Sequence, residues 1–294
     1  MRIDLHSHSS VSDGTEPPGT VVDRAVAVGL DVLALTDHDT VAGLPAAAER
    51  VPAGFTLIPG MELSCAHDGS SVHLLCYLFD PAAPVLTEEL DRIRRDRVLR
   101  AEAMVHRLRA AGVDVTWERV CEIAEADGDG EAAGPESGVI GRPHIARAIV
   151  EAGAAEDVQG AFDAWIGSGG PAYVDRYALD PVRAVSLVCA AGGVCVLAHP
   201  ARSEGVLTGA VPTGIVERMA EAGLGGIEAD HPTHDDAESA YWRDVALRLG
   251  LVVTGSSDDH GDLTGHRLGC RTTAPEAYER LMAPATGAAP ITAG

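Results

Sequence analysis

The chain has 294 residues, of which 46% are hydrophobic and 22% charged, so it is long enough for one large domain that carries a smaller inserted one. Its 22 basic residues are all arginine and stand against 44 acidic ones, which gives a net charge of −22. This acidic balance excludes binding of long nucleic acid through a basic face, because such binding requires neutralisation of phosphates.

Compartment and membrane attachment follow from the apolar runs and the cysteines. No apolar run reaches the length of a membrane span, and no signal peptide precedes His6. The six cysteines include no C-x-x-C pair, and Cys76, Cys189 and Cys195 lie inside apolar runs, as buried reduced thiols do. We therefore expect a cytoplasmic protein with no membrane partner. The sequence leaves its oligomeric state open.

Short apolar runs, each followed by a polar turn, recur along the chain and predict buried parallel strands. These runs are 31–35, 56–63, 71–79, 194–200, 226–230 and 251–258. Helical patterns at 20–29 and 235–249 lie between them, and Asp180 with Pro181 begins a third helix that runs to Ala191. The alternation predicts an α/β fold with a mostly parallel sheet or barrel.

The middle of the chain follows a different pattern. Residues 87–123 and 142–167 show helical periodicity without clear strands, and a Gly- and acid-rich loop that we expect to be mobile lies between them at 126–138. We predict a helical insertion, or cap, over 87–178 in an α/β domain formed by 1–86 and 179–283. The Ala-, Pro- and Gly-rich segment 284–294 is expected to be a flexible tail.

Ligand-type side chains cluster where these predicted strands end, and parallel α/β folds assemble their active sites there. They are His6, His8, Asp13, His38, Glu62, His73, His199, Asp258 and His260. A single histidine at a strand end is more often a hydrogen-bonded structural residue, so the prediction depends on the repetition. His6 and His8 share one face of an extended segment. Imidazole with carboxylate suits Mn, Fe or Zn, and the size of the set indicates two to three divalent ions.

Six motifs carry a resemblance to a known family. In order they are H-S-H-S-S-V-S-D-G, T-D-H-D-T, P-G-M-E-L-S, G-R-P-H-I-A, L-A-H-P and G-S-S-D-D-H-G. Together they resemble the PHP (polymerase and histidinol phosphatase) family over residues 3 to 270, and most closely its stand-alone bacterial phosphoesterases that act on nucleoside 3′,5′-bisphosphates and on the 5′ ends of short RNA. The resemblance implies a distorted seven-stranded (β/α) barrel, a TIM-like fold, with a trinuclear metal site.

The same resemblance implies a role for each ligand. The first metal would be held by His6, His8, Glu62 and Asp258. Glu62 would bridge to the second metal, which His73 and His199 complete, although His144 competes with His73 or His199 for this role. The third metal would be held by Asp13, His38 and His260. Arg142 and His144 would grip the substrate phosphate, and Asp259 stands where relatives commonly carry an aromatic residue, which adds charge at the rim.

The mechanism that we expect is attack on phosphorus by a metal-bridging hydroxide, with Glu62 fixing the metal pair. Asp37 or Asp39 would orient His38. Arg202, like Arg176 and Arg183, would contact a second phosphate or lie on the solvated surface. His231 and His234 would line the pocket mouth or lie in an exposed loop. Of these residues, we predict that Arg202 and His234 bind the substrate.

Three functions are consistent with these residues. The favoured one is a metal-dependent phosphoesterase acting on a small phosphorylated nucleotide or short oligonucleotide, which removes the 3′-phosphate of a nucleoside 3′,5′-bisphosphate or trims short RNA from its 5′ end. Histidinol-phosphate phosphatase is the alternative enzyme. A structural, non-catalytic PHP module is the third reading, which the complete ligand set and the lack of a following polymerase domain disfavour.

Overall fold

A computed structural model describes residues 1–127, 140–175, 177–201 and 211–293. The chain divides into two compact units. The barrel unit comprises Met1–Glu88 and Leu179–Gly294, and the helical unit comprises Glu89–Ala178. Arg176, Arg202 and most of the loop predicted at 126–138 lie outside the described residues.

The secondary structure alternates strands and helices in the barrel unit. In chain order the strands are β1 (Ile3–Asp4), β2 (Val32–Leu35), β3 (Thr56–His67), β4 (Ser70–Tyr77), β5 (Val194–Leu197), β6 (Gly226–Asp230), β7 (Val252–Gly255) and β8 (Ile291–Thr292). The α-helices are α1 (Pro18–Ala27), α2 (Leu44–Ala48), α3 (Pro84–Ala110), α4 (Trp117–Asp127), α5 (Arg142–Glu151), α6 (Val158–Ala161), α7 (Pro181–Ala190), α8 (Thr213–Glu221), α9 (Asp236–Arg248) and α10 (Pro275–Met282). Within the described ranges, no helix is both long and apolar enough to span a lipid bilayer.

The sheet of the barrel unit follows the order β1 to β7 and nearly closes on itself. Strands β1 to β3 are parallel, as are β5 to β7. The two ends of the sheet meet just beyond β1 and β7, where Ser7 forms a bridge with Asp259 and the Asp258 amide donates to the His6 carbonyl oxygen at 3.0 Å. The predicted distorted seven-stranded barrel is confirmed.

The run 71–79 was predicted to be a parallel strand, but the corresponding strand β4 runs antiparallel to both β3 and β5. Asp68 (φ +48°) and Gly69 (φ +78°) form a two-residue turn between β3 and β4. An Asp-Gly pair is well suited to such a turn, since both positions need positive φ. The register pairs Glu62 with Leu75 and Ser64 with His73, so Glu62 and His73 lie on the same face of the hairpin.

Side-chain caps mark the starts of α7 and α9 in the barrel unit. The Asp180 carboxylate accepts from the amides of Val182 and Arg183 at 3.0 Å each, and Pro181 occupies the first turn of α7. A reciprocal pair, Asp235 with Glu238, caps α9 in the same manner. The predicted starts of these two helices are therefore confirmed.

The helical unit has a hydrophobic core of its own. Its fully buried side chains include Met104, Leu108, Val120, Ile145 and Ile149. They come from α3, α4 and α5, whose apolar positions recur at helical spacing, so the three helices pack together through one face each. Gly112 follows α3 with φ +86°, a conformation that ends the helix and favours glycine.

The segment 284–294 differs from the flexible tail that its composition suggested. Strand β8 pairs antiparallel with β3, joining Thr56 to Thr292 and Leu57 to Ile291. Before it, the amide of Gly287 donates to the Gly192 carbonyl oxygen at 3.0 Å. A Cβ at position 287 would lie only 2.4 Å from the Ala191 carbonyl oxygen. Glycine at this position therefore permits close packing rather than mobility.

Candidate metal centre

Most candidate metal ligands lie just beyond the carboxyl ends of β1, β2, β5 and β7, whereas Glu62 lies within β3 and His73 within the antiparallel strand β4. The structure brings eight of the nine predicted ligands into three overlapping groups whose donor atoms lie within 4.8 Å of one another. The groups are His6, His8, Glu62 and Asp258; His38, Glu62 and His73; and His8, Asp13, His38 and His260. The ninth, His199, lies beside Glu62, with Nε2 2.9 Å from Oε1.

Glu62 lies at the middle of these groups and is 99% buried. Its two carboxylate oxygens face different sets of ring nitrogens. The Oε2 distances are 3.1 Å to His6 Nε2, 3.0 Å to His8 Nε2 and 3.4 Å to His38 Nδ1, and the Oε1 distances are 2.8 Å to His73 Nδ1 and 2.9 Å to His199 Nε2. A carboxylate divided in this manner has the geometry of a ligand shared between two cations.

The first group has donor separations that suit one cation. His6 Nε2 lies 3.0 Å from His8 Nε2, and the Asp258 Oδ1 atom lies 3.2 Å and 3.4 Å from these two nitrogens. Two ligands bound to one ion at about 2.1 Å, at angles of about 90–109°, are themselves about 3.0–3.4 Å apart. The observed distances fit that requirement.

The most solvent-exposed group of candidate ligands surrounds Asp13. Its carboxylate oxygens lie 3.5 Å from His8 Nδ1, 3.5 Å from His38 Nε2 and 3.3 Å from His260 Nε2. The Asp13 side chain is 46% exposed, whereas that of His8 is fully buried. The cluster is therefore reached from solvent at the Asp13 end.

The electrostatics of the cluster favour bound cations. Burial opposes ionisation of Glu62 and Asp258, but the surrounding imidazoles outweigh it and hold the pKa of both carboxyls well below the usual value. Burial likewise disfavours a charged His8, yet hydrogen bonds to Asp258 and Glu62 raise its pKa to about 10. Buried carboxylates that stay ionised place negative charge in the cluster, and this charge attracts metal ions.

The buried Nδ1 atom of His38 has no hydrogen-bond partner. His38 Nδ1 is buried and lies 3.4 Å from Glu62 Oε2, but the two atoms are not aligned for a hydrogen bond. A buried nitrogen without a partner costs about 1–3 kcal/mol, unless a ligand supplies the missing interaction. Together with the mixed imidazole and carboxylate donors, this nitrogen fits a site for divalent ions such as Mn, Fe or Zn.

Three residues that the sequence did not predict to support the metal ligands contact them. Glu228 of β6 lies 3.1 Å from His6 Nδ1. His231 Nε2 lies 3.1 Å from Asp258 Oδ2, and Arg267 Nη2 donates to the Asp258 carbonyl oxygen at 2.6 Å. The signal for Glu228 was present, because a carboxylate inside an otherwise apolar strand must find partners.

Asp37 does not orient His38 as predicted. Its Oδ1 accepts from the Ser9 amide at 2.7 Å and from the Ser12 hydroxyl at 2.8 Å, and its Oδ2 accepts from the Ser9 hydroxyl at 2.7 Å. Asp37 therefore holds the turn that leads from His8 to Asp13. Asp39 accepts from the Ser64 amide at 2.7 Å.

His231 and His234 are both buried, so the exposed-loop alternative for them is wrong. His234 Nδ1 donates to the Ala229 carbonyl oxygen at 3.0 Å, and its Nε2 is buried without a hydrogen-bond partner. Asp259 is also fully buried, which corrects the expected charge at the rim. It accepts from Arg24 Nη1 at 3.3 Å and from the Gly261 amide at 3.2 Å.

Arg142 and His144 belong to the helical unit, where they begin α5. The His144 ring accepts from the Gly141 amide at 3.0 Å, and the Arg142 guanidinium lies over the Phe162 ring, 5.3 Å from its centre. Their role in binding phosphate stays a prediction, as does that of Arg202, which lies outside the described residues.

Comparison with known proteins gives consistent matches. The profile of the PHP domain matches residues 4–112. The chain is 34% identical over 273 residues to the 3′,5′-nucleoside bisphosphate phosphatase of Chromobacterium violaceum. The aligned region covers 90% of this chain and 89% of the relative. A 5′-3′ exoribonuclease of Haemophilus influenzae is 36% identical over 204 residues, which are 68% of this chain and 69% of the relative. A crystal structure of a predicted metal-dependent phosphoesterase from Bifidobacterium adolescentis matches with a TM-score of 0.83 and 30% identity. The match covers 97% of this chain and 96% of that structure's chain.

Proposed function

The chain belongs to the PHP family, and on that premise we propose that it is a metal-dependent phosphoesterase that acts on small nucleotides. The proposed reaction removes the 3′-phosphate from a nucleoside 3′,5′-bisphosphate, trims short RNA from its 5′ end, or does both. The similarity to a bisphosphate phosphatase along nearly the whole chain supports the first reaction, and the similarity to an exoribonuclease supports the second.

The observation that carries the proposal is the position of Glu62 among five imidazoles. We assign the ligands of the first ion to His6, His8, Glu62 and Asp258, those of the second to Glu62, His73 and His199, and those of the third to Asp13, His38 and His260. The 2.8 Å distance from His73 Nδ1 to Glu62 Oε1 supports His73 over His144 for the second ion. Three ions per chain, manganese as the metal and a cytoplasmic location are parts of the same proposal.

When bound, divalent ions in such a site lower the pKa of water and neutralise phosphoryl oxygens. The side chains then have separate tasks. Glu62 keeps two groups of imidazoles at a fixed spacing. His231 and Arg267 hold Asp258 from its other side, through Oδ2 and the carbonyl oxygen. Asp37 fixes the turn that carries Asp13.

Substrate binding in the barrel unit is assigned to His234. Because its Nδ1 donates to a carbonyl oxygen, the neutral ring presents Nε2 as a bare acceptor, and the protonated ring presents Nε2 as a donor. In either form the buried Nε2 atom has no hydrogen-bond partner, and a polar group of the substrate would supply one. By resemblance, Arg142 and His144 are proposed to bind phosphate, and Arg142 offers a planar two-pronged donor.

The experiment compares three substrates with the manganese-loaded protein: adenosine 3′,5′-bisphosphate, a short 5′-phosphorylated RNA and histidinol phosphate. Turnover of one or both nucleotide substrates is expected. His234→Gln should raise KM for that substrate, whereas His106→Gln, an exposed position in the helical unit, should not. Turnover of histidinol phosphate alone would replace the proposal by that alternative, and a protein that binds no ions would restore the structural reading.

A further inference from the structure

Glu228 is a fully buried carboxylate in the middle of β6, and it has two different hydrogen-bond partners. Its Oε1 lies 3.1 Å from His6 Nδ1, and its Oε2 accepts from the backbone amide of His199 at 2.9 Å. The two partners follow β1 and β5, so one side chain joins two separate segments of the site. Each oxygen meets a donor, and the carboxylate is satisfied without water.

The contact with His6 fixes the orientation of that ring. An ionised carboxylate beside Nδ1 requires Nδ1 to carry the proton, which leaves Nε2 as a bare donor atom for a metal. Nε2 points at His8 Nε2, at 3.0 Å, and at Glu62 Oε2, at 3.1 Å. The ring is therefore held between two carboxylates, Glu228 on one nitrogen and Glu62 on the other.

The contact with His199 restrains the backbone. His199 has φ +24°, which is rare and strained for a residue with a side chain. Such a conformation persists only where the surroundings enforce it. The hydrogen bond from the His199 amide to Glu228 supplies one such restraint, and the His199 ring then lies with Nε2 2.9 Å from Glu62 Oε1.

From this arrangement we infer that Glu228 is a positioning residue that aligns His6 and His199 together, so that the two ion positions sharing Glu62 load as a pair. The inference rests on the proposed function, because it takes these histidines as ligands. His6 belongs to the first proposed ion and His199 to the second. Loss of the Glu228 carboxylate should therefore weaken the binding of both ions, although Glu228 is assigned as a ligand of neither.

The sharpest variant is Glu228→Gln, because it keeps the size of the side chain and changes only its hydrogen-bonding capacity. Glutamate offers two acceptor oxygens to two N–H donors. Glutamine offers one oxygen and one NH₂ group, so in either orientation a donor faces a donor. The matched control is Tyr77→Phe, which removes another buried hydrogen bond to the same region, from the Tyr77 hydroxyl to the Leu5 carbonyl oxygen at 2.7 Å.

The primary measurement is the affinity for Mn²⁺ and Zn²⁺, determined by chelator competition and by elemental analysis after dialysis. Glu228→Gln should bind both ions of the pair about 10- to 100-fold more weakly than wild type, and Tyr77→Phe should match wild type. Equal affinity in Glu228→Gln and wild type would overturn the positioning role. Wild-type protein that retains no ions would instead overturn the proposed function and this inference with it.

A second measurement needs no folded variant of Glu228. In ¹⁵N-histidine-labelled wild-type protein loaded with zinc, His6 should show a proton on Nδ1 that is protected from solvent exchange, with Nε2 unprotonated. The signal is assigned by its loss in His6→Gln. A His6 ring with its proton on Nε2 would contradict the inference, whatever the stability of Glu228→Gln.

Discussion

Substitution of Glu62 by glutamine perturbs the proposed site at the position where the two ion-binding groups meet. Glu62 places its two oxygens within 2.8–3.4 Å of five ring nitrogens. Glutamine keeps the volume but removes the charge, and its NH₂ group replaces one of the two oxygens. Whichever way the amide faces, one set of imidazoles loses its carboxylate partner, so we expect loss of at least one ion per chain.

The expected magnitude follows from what the shared ions contribute to the reaction. Loss of an outer partner of a metal ligand costs about 10- to 100-fold in affinity, and loss of a shared ligand should exceed that. Metal ions supply several kcal/mol of transition-state stabilisation, and about 4 kcal/mol corresponds to about 10³-fold in rate. Glu62→Gln should therefore lower kcat/KM for adenosine 3′,5′-bisphosphate by about 10³-fold or more.

The assay measures phosphate release with manganese at saturation, together with the ions bound per chain. Glu89→Gln is the matched control, because Glu89 is also a buried glutamate but lies in the helical unit, where it accepts from the Tyr177 hydroxyl. The control should keep both activity and ions. A Glu62→Gln protein with wild-type ion content and a rate within about tenfold of wild type would show that Glu62 is not a shared ligand.

Three further predictions concern the second ion, chelation and the core. His73→Gln should lower the ions bound per chain by at least one, while His144→Gln should keep the count and raise KM; the reverse pattern, seen by elemental analysis, would assign the ligand to His144. Removal of metal by a chelator should lower the Tm by on the order of 10 °C, and manganese should restore it, since ions that bind only the folded state stabilise it by about 4 kcal/mol at a thousand times Kd. Trp242→Ala, which empties a fully buried position of α9, should destabilise the barrel unit by about 3–5 kcal/mol in denaturant unfolding, without changing the ion count of folded protein.

Much of the site was predictable because its residues follow strands of one barrel. The strand period places His6 and His8 on one face, and the carboxyl ends of neighbouring strands bring distant residues such as His199 and Asp258 to one edge. These are local and topological rules, and they need no knowledge of individual side-chain contacts. The resemblance to the PHP family added the proposed division of the ligands among three ions.

The contacts that support the ligands were less accessible to sequence reasoning. Asp37 is adjacent to His38 in the chain, which suggested a partnership, but its oxygens turn to Ser9 and Ser12 across the sheet. Glu228 was read as part of an apolar strand, although its burial requires two donors from other strands. Hydrogen-bond partners of this kind depend on which rotamers the packed barrel permits.

The direction of β4 and the fate of segment 284–294 were also not predicted. The Asp-Gly pair at 68–69 is a strong hairpin signal. From this signal, β4 could have been predicted to run antiparallel to β3. The pairing of β8 with β3 has no comparable local signal. It depends on close packing at Gly287 and on a free edge of β3, both of which are tertiary features.

Central to the proposed function is that imidazole and carboxylate side chains around Glu62 hold divalent ions. Anomalous diffraction from crystals of the manganese-loaded protein, recorded at the manganese edge, tests it most directly. We expect two or three peaks, with Glu62 contacting two of them. Crystals that diffract well yet show no peak beside Glu62, at manganese concentrations that support turnover, would contradict it.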